Sequence, residues 1–346
     1  MPDAEVTTVL IVDDSALVRK LLKAILSEDP EIRVVGTAQD PYEAREQIKA
    51  LSPNVITLDV EMPKMDGITF LRNLMRLRPT PVVMVSSLTE ANADVTIAAL
   101  EAGAVDYVEK PKIGVADGLT AMADELCAKV KIAARARLRP FTKPLPEVVK
   151  RPVSLQTTDR IVAIGASTGG TEAIAEILAE LPPTCPAVLI TQHIPMQFSR
   201  RFAERLNKLS PMSVCEATDG TAVLLGHAYV APGDQHMRLE RSGAKYYCRL
   251  AQDPPINRHR PAVDALFESV ASQAGKNALG VILTGMGADG AGGLLTLKNT
   301  GARTIAQDRD TSVVWGMPGE AVKRGAALET LPLSAIAPRI KDWAAR

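Results

Sequence analysis

Three reactive side chains follow apolar runs in the second half of the sequence: Ser167 in "GASTGG", His193 in "LITQHIP" and Asp289 in "ILTGMGADGAGG". If these runs are strands of one parallel sheet, the three side chains lie at strand carboxyl ends and share a crevice. There they can form a relay in which histidine takes the serine proton and aspartate orients the histidine. The spacing therefore indicates acyl transfer through a nucleophilic serine.

The glycine-rich turn also allows a second interpretation, a loop that binds a phosphate at a helix start. It lacks the GxGxxG dinucleotide pattern and the Gly-Lys-Ser/Thr ending of a P-loop, and no acidic residue closes the next strand to bind a ribose. A lone serine in such a turn is often a helix cap, and a lone histidine after a strand is often structural. Spacing alone leaves catalytic and structural roles about even.

A second group of polar residues stands in the first third of the chain, at the ends of successive apolar runs: Asp13, Asp14, Asp59, Ser86 and Lys110. Three carboxylates in one crevice repel one another unless a cation neutralises them, and hard oxygen ligands suit Mg²⁺. Transfer of a phosphoryl group to Asp59 needs such a metal, together with an ammonium and a hydroxyl on the other phosphate oxygens. Any one aspartate at a strand end is commonly a helix cap, but five matched positions favour a phosphorylation site.

The elements that must position these residues are βα units. From residue 6 to about 128, five apolar runs alternate with helical patterns, and after residue 160 four more runs resume the alternation. This pattern predicts two α/β domains, each with a doubly wound parallel sheet. Residues 213–250 instead carry short apolar runs separated by Asp-Gly, Pro-Gly and Ser-Gly, which predicts an antiparallel β insertion in the second domain.

The two domains are expected to be joined by a basic linker. Residues 131–160 hold eight Lys or Arg against two acidic residues, with four prolines among them. Proline at this density prevents a continuous helix and stiffens a spacer, while the charge keeps it solvated or meets an acidic partner. We predict a first domain at 1–130, a linker at 131–157 and a second domain at 158–346.

Composition excludes several other classes of protein. The 346 residues are 46% hydrophobic, and Lys plus Arg equals Asp plus Glu at 40 each, so the net charge gives no basis for binding nucleic acid. The four cysteines form no CxxC pair and predict reduced thiols rather than a zinc site or disulfides. No targeting pattern or membrane-length apolar run is present, so we expect a soluble cytoplasmic protein without membrane insertion.

Over residues 6–128 the sequence resembles the receiver domain of bacterial response regulators, through "VDDS", "LDVEMPKMDG", "VSS" and "EKP". The resemblance implies that Asp59 accepts a phosphoryl group from a histidine kinase and that Asp13 and Asp14 help to hold Mg²⁺. It also implies that Ser86 and Lys110 respond to the phosphate. Tyr107 is expected to report the phosphate to a surface, although an aromatic residue in a strand is usually packing.

With a receiver in front, "GASTGG", "QHIP", "HRPAVD" and "TGMGADG" resemble the chemotaxis protein-glutamate methylesterase (CheB) family over essentially the whole chain. The resemblance implies hydrolysis of glutamate γ-methyl esters on the cytoplasmic domain of chemoreceptors, with release of methanol, and deamidation of receptor glutamines. Ser167, His193 and Asp289 would be the catalytic residues, and no cofactor is needed for hydrolysis. Thr168 and Met286 match positions that line the site, and their backbone amides are candidate oxyanion donors.

Two rival functions follow from the same residues. In one, the chain is a non-enzymatic receiver-linked adaptor whose glycine-rich turn merely contacts an anionic ligand, and esterase activity separates it from the hydrolase. In the other, the chain is a DNA-binding regulator, which a full α/β output domain and zero net charge disfavour. The remaining histidines carry no assigned chemistry: His227 and His236 fall in the predicted insertion, and His259 precedes a helix.

Overall fold

The computed structural model describes residues 6–60, 62, 67–87, 90–110, 116–138, 148 and 157–345. The chain folds as two compact units, Met1–Lys143 and Pro144–Arg346. Most of the predicted linker at 131–157 lies outside the described residues, so its bounds stay a prediction. None of the described helices combines the length and apolar character that crossing a bilayer requires.

The first unit is built on a five-stranded parallel sheet in the order β2-β1-β3-β4-β5. Val9, Leu10 and Ile11 of the inner strand β1 are fully buried, as expected for a parallel strand covered by helices on both faces. The strands are β1 (Thr7–Val12), β2 (Ile32–Ala38), β3 (Val55–Asp59), β4 (Val82–Ser86) and β5 (Asp106–Glu109). The helices are α1 (Ala16–Glu28), α2 (Pro41–Leu51), α3 (Gly67–Leu77), α4 (Glu90–Glu101) and α5 (Ala116–Ala134).

The second unit holds a seven-stranded sheet and a separate two-stranded sheet. Its strands are β6 (Ile161–Ala166), β7 (Ala187–Gln192), β8 (Ser213–Glu216), β9 (His227–Val230), β10 (His236–Ser242), β11 (Lys245–Ala251), β12 (Ala278–Ile282), β13 (Arg303–Gln307) and β14 (Glu329–Leu331). Its helices are α6 (Gly170–Glu180), α7 (Met196–Leu209), α8 (Val263–Gln273), α9 (Ala291–Asn299), α10 (Met317–Lys323) and α11 (Leu333–Ala344).

The large sheet runs in the order β14-β13-β12-β6-β7-β9-β8, and all its strand pairs are parallel. Strand β6 is central, with β12 on one side and β7 on the other. The chain therefore reverses its direction of travel across the sheet at β6, which is where parallel α/β sheets form their ligand crevice. The predicted fold class of two parallel α/β domains is confirmed.

The predicted antiparallel insertion is confirmed in its second half, where β10 and β11 form a hairpin through Ser242 and Lys245. The two strands before it, β8 and β9, pair in parallel and extend the large sheet instead. Helix α8 packs on the hairpin and on the large sheet, and buries Phe267 and Val270 in the core they share. This packing holds the start of α8 beside the carboxyl end of β6.

Candidate active site

Ser167 lies in the strand-to-helix turn that its sequence predicts. Its amide donates to the carbonyl of Thr284 over 3.0 Å, and its carbonyl accepts from the amide of Gly170 over 2.7 Å. Between Ser167 and Gly170, Gly169 has a φ of 74°, a left-handed conformation that residues with side chains rarely adopt. The turn leads directly from β6 into α6 and fixes the Ser167 backbone at the carboxyl end of the central strand.

His193 contacts both other predicted catalytic residues. Its backbone follows β7, and its amide donates to the carbonyl of Ala166 over 3.2 Å. Nδ1 of the ring lies 3.2 Å from Ser167 Oγ, and Nε2 lies 2.8 Å from Asp289 Oδ2. Because an ionised carboxylate can only accept, the proton belongs on Nε2 and Nδ1 keeps a free lone pair. The ring thus presents a basic nitrogen to the serine hydroxyl.

Asp289 is almost completely buried, at 2% exposure, in the loop after β12. Its Oδ2 accepts from His193 and from the amide of Val263 over 2.6 Å, and its Oδ1 accepts from the Asn257 side chain over 2.8 Å. The amide of Asp264 adds a longer bond of 3.2 Å to Oδ1. Burial raises the pKa of this carboxyl, but the donors, His193 first among them, outweigh burial and lower the pKa to about 2. Asp289 is therefore a fixed anion beside His193.

Thr168 and Met286 adjoin the catalytic candidates in sequence, Thr168 directly after Ser167 and Met286 three residues before Asp289. Thr168 is buried, and its carbonyl accepts from the Thr284 hydroxyl over 2.9 Å. Met286 is half-buried in the turn that leads to Asp289, beside Gly285, whose carbonyl accepts from the amides of Gly316 and Met317. Within the part of the chain that the structure describes, the Met286 amide donates no hydrogen bond. That amide is available to an incoming oxygen.

The predicted carboxylate pocket is assembled in the first unit. Oxygens of Asp13, Asp14 and Asp59 lie within 4.8 Å of one another, and Lys110 Nζ is 2.7 Å from Asp59 Oδ2 and 3.3 Å from Asp13 Oδ2. Burial raises the pKa of Asp13, and the charge of Lys110 offsets part of that rise. Asp13 Oδ2 is buried, and apart from the Lys110 ammonium at 3.3 Å it has no donor among the described residues, while Asp14 is exposed. A buried carboxylate oxygen with unused acceptor capacity and an exposed carboxylate beside it fit a hydrated Mg²⁺.

Ser86 and Tyr107 lie on neighbouring strands next to this pocket. The Ser86 hydroxyl is buried 3.3 Å from the hydroxyl of Thr96, and its carbonyl accepts from the amide of Lys110 over 2.9 Å. Tyr107 is half-buried in β5, where Lys129 Nζ lies 4.9 Å from its ring centroid and bonds its carbonyl. Ser86 is thus beside Lys110 at the pocket, whereas the ring of Tyr107 is held by Lys129.

Comparison with known proteins agrees with the two units. Residues 162–340 match the family model for CheB methylesterase, and residues 9–121 match the model for the response regulator receiver domain. The chain belongs to the CheB methylesterase family. The resemblance seen in the sequence motifs is therefore confirmed.

Relatives cover nearly the whole length of this CheB-family chain. It is 59% identical over 342 residues to protein-glutamate methylesterase/protein-glutamine glutaminase 1 of Xanthomonas euvesicatoria, covering 96% of each chain. It is 55% identical to protein-glutamate methylesterase/protein-glutamine glutaminase 2 of Pseudomonas aeruginosa, covering 98% of this chain and 97% of the relative. The crystal structure of the CheB methylesterase catalytic domain of Thermotoga maritima matches at 38% identity and a TM-score of 0.53, covering 54% of this chain and 99% of that one.

The sequence did not predict several contacts around the site of this CheB domain. Asn257 bonds Asp289, and the ring of His259 stacks on that of His193 with centroids 3.6 Å apart and planes 12° apart. His236 is fully buried and accepts from the amide of Ala262 over 3.2 Å, in the same loop. The motif "HRPAVD" indicates a loop that leads into a helix, but no residue in it indicates that the loop folds back over His193.

Proposed function

We propose that the chain is a phosphorylation-regulated protein-glutamate methylesterase and protein-glutamine glutaminase that acts on the cytoplasmic domain of chemoreceptors. The observation that carries this proposal is the continuous set of contacts from Ser167 Oγ through His193 to Asp289, at the switch point of the sheet. The names of the relatives supply the chemistry at protein glutamate and protein glutamine, and the family resemblance supplies the chemoreceptor as substrate. With chemoreceptor tails as substrate, the cytoplasm is the proposed location.

In the proposed mechanism, Ser167 Oγ attacks the γ-carbonyl carbon of the glutamyl ester while His193 Nδ1 takes the serine proton. The tetrahedral intermediate then expels the methoxide oxygen, which takes that proton from His193 and leaves as methanol; with glutamine the leaving group is ammonia. A water molecule attacks the resulting acyl-serine, giving its proton to His193. Collapse returns the proton from His193 to Ser167 Oγ and releases the γ-carboxylic acid, which loses its remaining proton to solvent and becomes the glutamate carboxylate.

Asp289 keeps its charge through these steps, because its pKa of about 2 lies far below that of an imidazolium. Its Oδ2 accepts a hydrogen bond from His193 Nε2–H throughout and stabilises the positive ring that forms at each proton transfer. The free amide of Met286 is the proposed donor to the oxyanion, with the amide of Thr168 as the second candidate. The assignment of Met286 rests on its position and its unused amide, and that of Thr168 on position alone.

Regulation is proposed to begin at Asp59, which accepts a phosphoryl group from a histidine kinase. Asp13, Asp14 and Asp59 would hold Mg²⁺, and the bound metal would neutralise charge on the transferring group. Lys110 already contacts Asp59, so its ammonium is in reach of a phosphate oxygen there. The Ser86 hydroxyl would bond a further oxygen, and Tyr107 is the proposed reporter at the surface.

The test is release of methanol from chemoreceptors carrying methylated glutamates, measured with and without a small phosphodonor and Mg²⁺. We expect release without phosphodonor and faster release with it, because phosphorylation at Asp59 is proposed to regulate the hydrolase. A folded chain that takes up phosphate but releases no methanol would be an adaptor rather than an enzyme.

A further inference from the structure

The side chain of Asn257 reaches two carboxylates at once. Its Nδ2 lies 2.8 Å from Asp289 Oδ1 and 2.7 Å from Asp264 Oδ2. The side-chain amide nitrogen of asparagine carries two hydrogens, so it can donate one hydrogen bond to each carboxylate. Although the residue as a whole is exposed, its amide reaches inward to the buried aspartate next to His193.

These bonds define the orientation of the Asp289 carboxylate. Oδ2 is held by His193 and the Val263 amide, and Oδ1 is held by Asn257 together with the weaker Asp264 amide at 3.2 Å. Without Asn257 the short bonds would all lie on Oδ2, and the carboxylate could rotate about them. Its lone pair would then no longer point steadily at His193 Nε2.

The bond from Asn257 to the second carboxylate, that of Asp264, links two acidic side chains through one donor. Asp264 stands in the first turn of α8, where its Oδ1 accepts from the amide of Gly293 over 2.6 Å. Burial raises the pKa of Asp264, and the charge of Asp289 adds to the rise. A donor shared by two like charges lets both stay ionised in close quarters, where otherwise a proton would be favoured on one of them.

The position of Asn257 is set by its own loop and not by Asp289 alone. Asn257 and Arg258 both have left-handed backbones, with φ of 52° and 68°. Two residues further on, Arg260 bonds the Asp234 carboxylate through two nitrogens, at 2.9 and 2.6 Å, and the carbonyls of Gln252 and Asp253. These bonds anchor the loop, which therefore holds the side-chain amide of Asn257 in place.

We propose that Asn257 is a positioning residue for hydrolysis, which orients Asp289 and keeps it anionic so that His193 holds its proton on Nε2. The inference rests on the proposed function, since it assigns a part in the same reaction. Asn257 acts through Asp289 and touches no reacting atom.

The test uses the full-length protein with two substitutions and one control. Asn257→Gly removes the amide and keeps a residue that tolerates the left-handed backbone, while Asn257→Asp keeps the shape and replaces the donors with a carboxylate. The control, Arg258→Gly, changes the neighbouring left-handed and exposed residue. The measurements are kcat and KM for methanol release, thermal stability, and the downfield proton NMR signal of His193 Nε2–H.

Loss of a hydrogen bond to a charged group predicts a fall in kcat of about ten- to a hundredfold for both Asn257 variants, with KM within about twofold of wild type. The Nε2–H signal should shift or broaden in both, and the control should match wild type. Unchanged kcat and an unchanged signal would overturn the inference, as would a raised KM with normal kcat. If the wild type released no methanol, the proposed function would fail, and the NMR signal alone would decide whether Asn257 orients Asp289.

Discussion

At the scale of single residues, the two ring nitrogens of His193 have different partners, Ser167 at 3.2 Å and Asp289 at 2.8 Å. In the serine proteases Nδ1 faces the aspartate and Nε2 the serine, and here the assignment is exchanged. The exchange leaves the proposed chemistry intact, because one ring nitrogen still donates a hydrogen bond to a carboxylate while the other can take the proton of the serine hydroxyl. In the proposed mechanism the three groups act as a unit.

Acting as a unit predicts losses that do not add. Ser167→Ala should lower kcat for methanol release by at least about ten-thousandfold, and His193→Ala or Asp289→Ala should also cause large losses. Combining either with Ser167→Ala should cost little more, since the relay has already lost its nucleophile. Rates for single and double variants check this, and multiplicative losses would mean that the residues work separately.

Asp289 predicts a specific dependence of stability on pH. Its pKa is about 2 in the folded protein against 3.8 for an unperturbed aspartate, so its contribution to stability is present above pH 3.8 and is lost as pH falls toward 2. From pH 5 to pH 3, wild type should lose about 1 kcal/mol more free energy of unfolding than Asp289→Asn. Urea unfolding followed by tryptophan fluorescence measures this, because Trp315 and Trp343 both lie in the second unit. Parallel pH curves for the two proteins would contradict it.

The contact among Ser167, His193 and Asp289 could be predicted from the sequence because each residue follows an apolar run. Such runs indicate where strands end, and the carboxyl ends of parallel strands lie at one edge of the sheet. It did not predict Asn257 or the stacking of His259, because their loop depends on left-handed backbone at two residues that are not glycine. No spacing rule encodes such a turn. The role of the Val263 amide was also missed, since sequence does not aim a backbone N–H.

At the scale of elements, parallel strands and their order explain both pockets. The five strands of the receiver were predicted from apolar runs, and so were β6, β7, β12 and β13. Strands β8 and β9 were expected in an antiparallel insertion because turn signals surround them, yet they pair in parallel and extend the large sheet. Turn residues indicate where a strand ends, but they do not determine which strand it pairs with.

Asp13 and Asp59 reach one another because β1 and β3 are adjacent, and this geometry predicts one phosphorylation site. Asp59→Asn should abolish labelling by a small phosphodonor, and chelation of Mg²⁺ should do the same to wild type until the metal is restored. As a control, Asp106→Asn removes a carboxylate of β5 that pairs with Lys129 at 3.2 Å, and should leave labelling intact. A labelled Asp59→Asn protein would place the acceptor elsewhere.

At the scale of the whole molecule, the proposed phosphate-accepting and hydrolytic sites belong to different compact units of one chain. The predicted linker would keep each unit at high effective concentration for the other, so the receiver could regulate without binding tightly. The family resemblance implies inhibition by the unphosphorylated receiver. If so, phosphorylation would shift the population between an inhibited and an active state, within the limit set by their difference in stability.

Inhibition predicts that a fragment of residues 158–346 hydrolyses methylated receptor faster than the unphosphorylated whole chain. The fragment should also ignore phosphodonor, because it lacks Asp59. Full-length Asp59→Asn with phosphodonor is the matched control and should stay at the low rate. Initial rates of methanol release decide the matter, once circular dichroism has shown that the fragment is folded. A folded fragment no faster than the whole chain would mean that the receiver activates by making contacts rather than by inhibiting.

The central place of β6 in the large sheet has a consequence for how such a chain can diverge. The edge strands β8 and β14 are each three strands away from it, about 14 Å at the usual spacing between strands. We therefore expect substitutions in those edge strands to disturb Ser167, His193 and Asp289 less than substitutions in β12, β6 or β7, the strands that these residues follow. Both flanks of the sheet are thus the places where related chains can carry different surfaces around the same proposed centre.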